Sequence, residues 1–251
     1  MKAICSDLDH TLIYSHRQKL PEPRIEAERL HGKPQSYMSE RTFSMLRSLP
    51  VDLIPVTTRT PEQFLRISLF QGEIPYKTAL LCCGAYALTD GQPDRPWNAA
   101  SERLAGDALH TLRDIWLRMK QEYGTAHLHY AEPFLVYFVP DDPAAEAVRL
   151  REICPESLAV CREHRKLYIY PAVLNKGTAV QRLRSRYGYG RILAAGDSIT
   201  DVPMLNAADC IAAPSSLRPM IRPELPALYQ SGEWLCDTVC DAAAAFLAED
   251  A

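Results

Sequence analysis

No stretch of this sequence approaches the roughly 20 consecutive apolar residues that a membrane-spanning helix needs. The opening Met1-Lys2-Ala3-Ile4-Cys5-Ser6 reaches Asp7 too early to form the apolar centre of a signal peptide, so a cytoplasmic location without a membrane partner is expected. Basic charge is not in excess either. The formal net charge is −3, which provides no global field for nucleic acid. The eight cysteines, at 5, 82, 83, 154, 161, 210, 236 and 240, form no CxxC pair and no Cys/His cluster with zinc spacing. Several lie in apolar runs such as Leu80-Leu81-Cys82-Cys83 and read as reduced, buried, small hydrophobes. Cys236 and Cys240 are the pair left for a redox role. There is no internal repeat and no low-complexity segment.

What is present is an ordinary globular composition, 47% hydrophobic and 24% charged, over 251 residues. That length allows a substantial core and a smaller accessory domain. Residues 2–6 form a short apolar run that ends at Asp7, as a buried strand would. Residues 14–38 are polar and broken by Pro21, Pro23, Gly32 and Pro34, which predicts a loop or short hairpin. Ser39 caps a predicted helix to about Leu49, Val51–Val56 reads as a second strand ending at Thr57, and Thr60-Pro61 opens another helix. Residues 79–83 read as a third strand.

From about residue 86 the texture changes. A long helix near 101–122, strands at 125–131 and 134–139, a helix over 141–152 and strands at 157–162 and 166–171 make an α-β-β pattern that occurs twice. The alternating pattern then resumes, with a helix from Lys176, a strand over 191–195 ending at Gly196-Asp197, a helix near 201–207, a strand at 209–212 and a last helix near 234–248. Strands alternating with helices on both sides of the insert predict an open parallel sheet, whose ligands bind at the carboxyl ends of its strands.

Asp7/Asp9, Thr57 and Asp197/Asp201 fall at those ends, and Lys176 at a helix start. Four carboxylates near one point repel one another unless a cation sits among them, and hard oxygens beside a phosphate suit Mg²⁺. A carboxylate can attack phosphorus, a second acid can protonate the leaving oxygen, and a lysine with a hydroxyl can hold the phosphoryl oxygens.

Asp7-Leu8-Asp9-His10-Thr11 resembles the DxDxT signature of haloacid-dehalogenase-like (HAD) phosphatases. Thr57 resembles their second motif, Lys176 in Asn175-Lys176-Gly177 their third, and Gly196-Asp197-Ser198-Ile199-Thr200-Asp201 their GDxxxD fourth, all in the family's order. The resemblance implies an α/β fold: a Rossmann-like parallel-sheet HAD core, residues 1–85 and 172–251, with an inserted α+β cap of the C2B type at 86–171. It implies Asp7 as nucleophile and metal ligand, and Asp9 as general acid/base whose backbone carbonyl also binds metal. Thr57, Thr58, Arg59 and Lys176 would bind substrate, and Asp197 and Asp201 would complete a Mg²⁺ site. The partner would be a small phosphorylated metabolite, such as a sugar phosphate.

Within the family, Ser6–Thr11 is similar to the sucrose-phosphate phosphatase version of the first motif. Pro55–Gln63 resembles HAD hydrolases found with tellurium-resistance-type gene clusters. Several positions depart from the commoner patterns: His10 stands for Gly, Thr58 for the Gly of Thr-Gly-Arg, Cys83 for the Asn of Asn-Gly-Ala, and Thr200 for Asn. Arg95, Trp97, Arg165, Lys166, Tyr168 and Tyr170 of the insert are candidates for leaving-group contacts. Two alternatives stand beside the phosphatase. A phosphomannomutase-type mutase would need a second basic phosphate site, for which Arg162, Arg165 and Lys166 are available. A non-catalytic binding protein would have no use for Asp9.

Overall fold

The computed structural model describes residues 1–249. β1 (Lys2–Ser6) is buried from Ala3 onward. β2 (Tyr14–Ser15), β3 (Arg24–Leu30) and β4 (Lys33–Ser39) then build an antiparallel sheet in the order β2-β4-β3. The segment expected to be a loop or short hairpin is therefore a three-stranded structure. Its polarity hid the strands because most of its residues are not buried, with Ala27, Glu28, Ser36 and Met38 the exceptions along β3 and β4. Ser39 caps α1 (Glu40–Arg47) through the Thr42 N–H. β5 (Asp52–Pro55) follows, and the Thr60/Gln63 capping box with Pro61 at the first position starts α2 (Pro61–Leu65). β6 (Thr78–Leu81), β7 (Tyr86–Thr89) and β8 (Gln92–Pro93) form a second small antiparallel sheet.

The single long helix expected near 101–122 is two, α3 (Arg95–Ala105) and α4 (Ala108–Tyr123). Gly106 breaks it, with a positive φ of 49° that glycine tolerates at little cost. β9 (Leu128–Ala131), β10 (Leu135–Phe138), α5 (Pro143–Ile153), β11 (Leu158–Glu163) and β12 (Lys166–Pro171) complete the insert. Its sheet is antiparallel in the order β11-β12-β10-β9. Strand alternation decides which way it faces. Leu167 and Ile169 pack with Leu112, Ile115 and Leu150 of α4 and α5. Tyr168 and Tyr170 face the other way and pack with Cys82, Cys83 and Leu174.

α6 (Lys176–Tyr187), β13 (Arg191–Ala195), α7 (Val202–Ala207), β14 (Cys210–Ala213), β15 (Ala227–Tyr229) and α8 (Leu235–Ala248) finish the chain. The central sheet has the order β15-β14-β13-β1-β5 with every pairing parallel. A bridge between Val56 and Leu80 brings β6 alongside. Alternate residues face opposite layers: Ile4, Leu53 and Leu193 pack toward α1 and α8, while Ala3, Ile54 and Ile192 pack toward α6 and α7. Ala87 and Trp97, inside the expected cap segment, share the second of these clusters with Ile54 and Ala179. No helix among the described residues is long and apolar enough to cross a membrane.

Candidate active site

Register brings the site together. Ser6 pairs with Pro55 on one side and Ala195 on the other, so β1, β5 and β13 end level. The Asp7 N–H still donates to the Ala195 carbonyl at 2.9 Å, and the next residues of each strand emerge at one edge. Lys176 reaches this edge from the first turn of α6, whose start is fixed by the Asn175 side chain accepting the Gly177 and Thr178 N–H groups.

The Lys176 ammonium is 1% exposed and lies 2.6 Å from an oxygen of Asp7 and 2.6 Å from one of Asp201. Asp7, Asp197 and Asp201 present oxygens within 4.8 Å of one another. Burial raises the Asp7 carboxyl well above the usual range, and the Asp201, Asp197 and Glu163 carboxylates add to this against the pull of Lys176. Burial, with Asp201 and Glu163 beside it, pushes Asp197 up to about 8. One ammonium is too little positive charge for this group, and a hard divalent cation fits the donor set. Asp201 is fully buried, and its second oxygen accepts the N–H groups of Asp197 and Ser198 and the Ser198 hydroxyl. Gly196 permits this closeness, since a Cβ there would stand 2.4 Å from the Asp201 Cβ. Of the expected metal ligands, Asp7, Asp197 and Asp201 are thus gathered. The Asp9 side chain is turned away from them.

Asp9 faces Arg59 instead. Nε and Nη2 of Arg59 donate to its two oxygens at 2.7 and 2.8 Å, a parallel fork. Burial would raise the Asp9 carboxyl, but the guanidinium outweighs it and holds the group at about 2. Arg59 is also bound to Glu28, so its fork is committed within the protein rather than held out to substrate. Thr57 is fully buried, and its hydroxyl accepts the Arg59 N–H. The Thr58 hydroxyl donates to the Tyr168 hydroxyl of the insert. A polar cleft of about 240 Å³ opens beside Asp9, lined among others by Ser15, Glu28, Arg66, Lys166 and Tyr168.

Two residues that the sequence reading did not single out reach the site from the insert. Glu163 accepts hydrogen bonds from the hydroxyls of Ser198, at 2.9 Å, and Thr200. His164 stacks on His10 with ring centroids 4.5 Å apart. Glu163 ends β11 and His164 opens the turn to β12, where sequence shows only a charged tip with no spacing to mark it. His10, in the left-handed region at φ 60°, also lies 2.9 Å from the Gln18 amide. Trp97 is buried and donates to the Gly84 carbonyl, and Tyr170, also buried, bonds Cys161.

No family model matches the sequence, and no curated protein matches it significantly. Solved structures do match. The sucrose-phosphatase of Synechocystis sp. PCC6803, determined with sucrose and phosphate, superposes with a TM-score of 0.69 at 17% identity, covering 98% of each chain. A sugar phosphatase of HAD subclass IIB matches with a TM-score of 0.63 at 13% identity, over 98% of this chain and 99% of its own. The fold is that of the HAD subclass IIB phosphatases. A HAD phosphatase from Bacteroides thetaiotaomicron gives 0.59 at 15% identity, over 98% and 95%. At these identities the HAD likeness is one of architecture: a five-stranded parallel core sheet with antiparallel sheets inserted, as in a core with a C2B cap.

Proposed function

We propose that this chain is a Mg²⁺-dependent phosphatase acting on a small phosphomonoester, a sugar phosphate or related metabolite. The observation that carries this reading is the Asp7–Asp197–Asp201 cluster, in which buried Asp7 and Asp201 are clamped by Lys176, with Asp9 set apart from it over a polar cleft. On this reading the first carboxylate would meet phosphorus and the second would meet the leaving group.

Residues 1–85 and 172–251 would hold the phosphoryl group, and the insert 86–171 would cover it. Bound among Asp7, Asp197 and Asp201, Mg²⁺ would neutralise charge on Asp7 and the phosphate. Asp7 attacks phosphorus, the bond to the leaving oxygen breaks, and that oxygen takes a proton from Asp9. Asp9 then removes a proton from water, which hydrolyses the aspartyl-phosphate. Lys176 and Thr57 hold the phosphoryl oxygens. Asp9 against Arg59 is in the form the second half-reaction needs. An arriving phosphate is a like charge and raises its proton affinity for the first.

The mutase alternative asks for a second basic site facing the first; of Arg162, Arg165 and Lys166 only Lys166 lines the cleft by Asp9, whereas Arg162 lines a separate pocket with Arg151. Phosphate release from a panel of phosphomonoesters, with and without Mg²⁺, tests the reading. Release should need both Mg²⁺ and Asp7, and vanish in Asp7→Asn. Release that survives that substitution would remove Asp7 as nucleophile, and no release from any compound by folded, Mg²⁺-loaded protein would remove the phosphatase.

A further inference from the structure

Glu28 is a carboxylate in an unexpected place. It lies on β3 of the hairpin sheet, outside the parallel core, and its side chain is 4% exposed. One of its oxygens accepts from Nη1 and Nη2 of Arg59, both at 3.0 Å. The other accepts Nε of Arg66 at 3.0 Å. Ser36 Oγ lies 3.5 Å from the oxygen that faces Arg59. The pairing of β3 with β4 slips on both sides of Glu28, which keeps Ser36 as its β4 partner and also bridges to Ile67. Such bulges re-aim a side chain, and here the one re-aimed is the acid.

Burying a carboxylate this far costs more than burying an apolar residue of the same size, even when it is paired. The hairpin is joined to the segment after α2 by other contacts as well, the Ile67 bridge and the Ser68 hydroxyl donating to the Ala27 carbonyl. What Glu28 supplies is an anchor for Arg59. The guanidinium is gripped on its Nη1/Nη2 edge by Glu28 and by the Gln63 carbonyl, 3.1 Å from Nη1. That grip leaves Nε and Nη2 presented as the fork that Asp9 occupies. The chain of alternating charge runs Arg66, Glu28, Arg59, Asp9.

We infer that Glu28 is a positioning residue for the acid/base step, acting on Asp9 through Arg59. The inference rests on the phosphatase reading and on Asp9 as its acid. A residue that aims the acid has a signature that a merely structural one lacks. Sugar alkoxides are strong bases and need a proton to leave, whereas nitrophenolate is a weak base and leaves without one. Loss of aim should therefore fall on the first kind of substrate and largely spare the second.

The experiment compares kcat/KM, which reports the steps up to loss of the leaving group and not the later hydrolysis that Asp9 also serves, for a sugar phosphate and for para-nitrophenyl phosphate in Glu28→Gln, Arg59→Lys and Asp9→Asn, with thermal melting of each protein. General acid–base catalysis contributes about 10²–10⁴-fold, so Asp9→Asn should lower the sugar phosphate rate by that order and the nitrophenyl rate much less. Glu28→Gln should show the same selectivity at roughly tenfold in kcat/KM. Arg59→Lys keeps the charge, loses the fork, and should follow it. Equal losses on both substrates in Glu28→Gln and Arg59→Lys, while Asp9→Asn stays selective, would make Glu28 structural and overturn the inference. A non-selective Asp9→Asn would remove the acid itself, and the inference with it. If Glu28→Gln does not fold, Arg59→Lys decides.

Discussion

The Lys176 ammonium and the Asp7 carboxylate are 2.6 Å apart, both buried, at the point where the helix α6 meets the end of β1. Burial disfavours a charged lysine, yet Asp201 and Asp7 reverse this and raise its proton affinity well above normal. The lysine is therefore a fixed cation, and the site's stability depends on it. Breaking a buried pair by removing one partner costs about 3–5 kcal/mol. Lys176→Met should lose that much at pH 8 and less at pH 5, where the raised carboxyls carry protons. Urea unfolding at the two pH values measures it, and an equal loss at both would mean that the carboxylates do not depend on this charge.

The same carboxylates set a pH dependence. Asp7 and Asp197 bind protons more tightly in the folded chain than at their ordinary values, Asp197 up to about 8. Between roughly pH 4, where an unfolded aspartate titrates, and about 8 the folded state holds more protons, so metal-free stability falls as pH rises. Mg²⁺ binds the deprotonated form, so its stabilising increment should grow over that window. At a hundred times its Kd it should reach about 2.7 kcal/mol at the alkaline end. Thermal melting at pH 5.5 and 8, with and without Mg²⁺, checks the sign. A larger increment at pH 5.5 would refute it.

Gly196 gives a steric prediction. A methyl group there meets the Asp201 Cβ at 2.4 Å and its Cγ at 2.5 Å. Asp201 cannot retreat without releasing Lys176 and the two N–H groups of Asp197 and Ser198. Gly196→Ala should cost about 1–3 kcal/mol, the range for overpacking, and weaken Mg²⁺ binding measured by calorimetry. Wild-type affinity in a folded variant would show that Asp201 has room to move.

Asp7, Thr57, Lys176 and Asp197 were legible because each stands at the end of an apolar run or the start of a capped helix, and parallel topology sends those points to one edge. Ser39 and Thr60 marked their helices for the same local reason. Glu28 and Glu163 were not legible. Each sits among polar residues on a partly exposed strand, where an inward-facing acid looks like any outward-facing one. Only the bulge at Glu28 and the fold-back of the β11–β12 turn reveal the direction. β15 was missed because three residues carry too short a pattern, and the break at Gly106 because the apolar period resumes across it.

Glu163 combines two effects that substitution can separate. As an acceptor it ties the insert to the fourth motif through Ser198 and Thr200. As a charge it adds to the repulsion that raises Asp7 and Asp197. Hydrogen bonds to a charged group are worth about 1.5–3 kcal/mol, so losing them should raise local opening by tenfold or more. Glu163→Ala should therefore speed amide exchange in the turn 163–166 and in 198–201 together, because one contact holds both. Glu163→Gln keeps an acceptor and should exchange much more slowly than the alanine variant. Both variants remove a negative charge near the cluster and should weaken Mg²⁺ binding severalfold. Hydrogen-exchange mass spectrometry beside Mg²⁺ titration separates the two roles. Unchanged exchange in Glu163→Ala would mean that the turn is held by His164 on His10 and by Tyr168 on Thr58, and that Glu163 contributes only its charge.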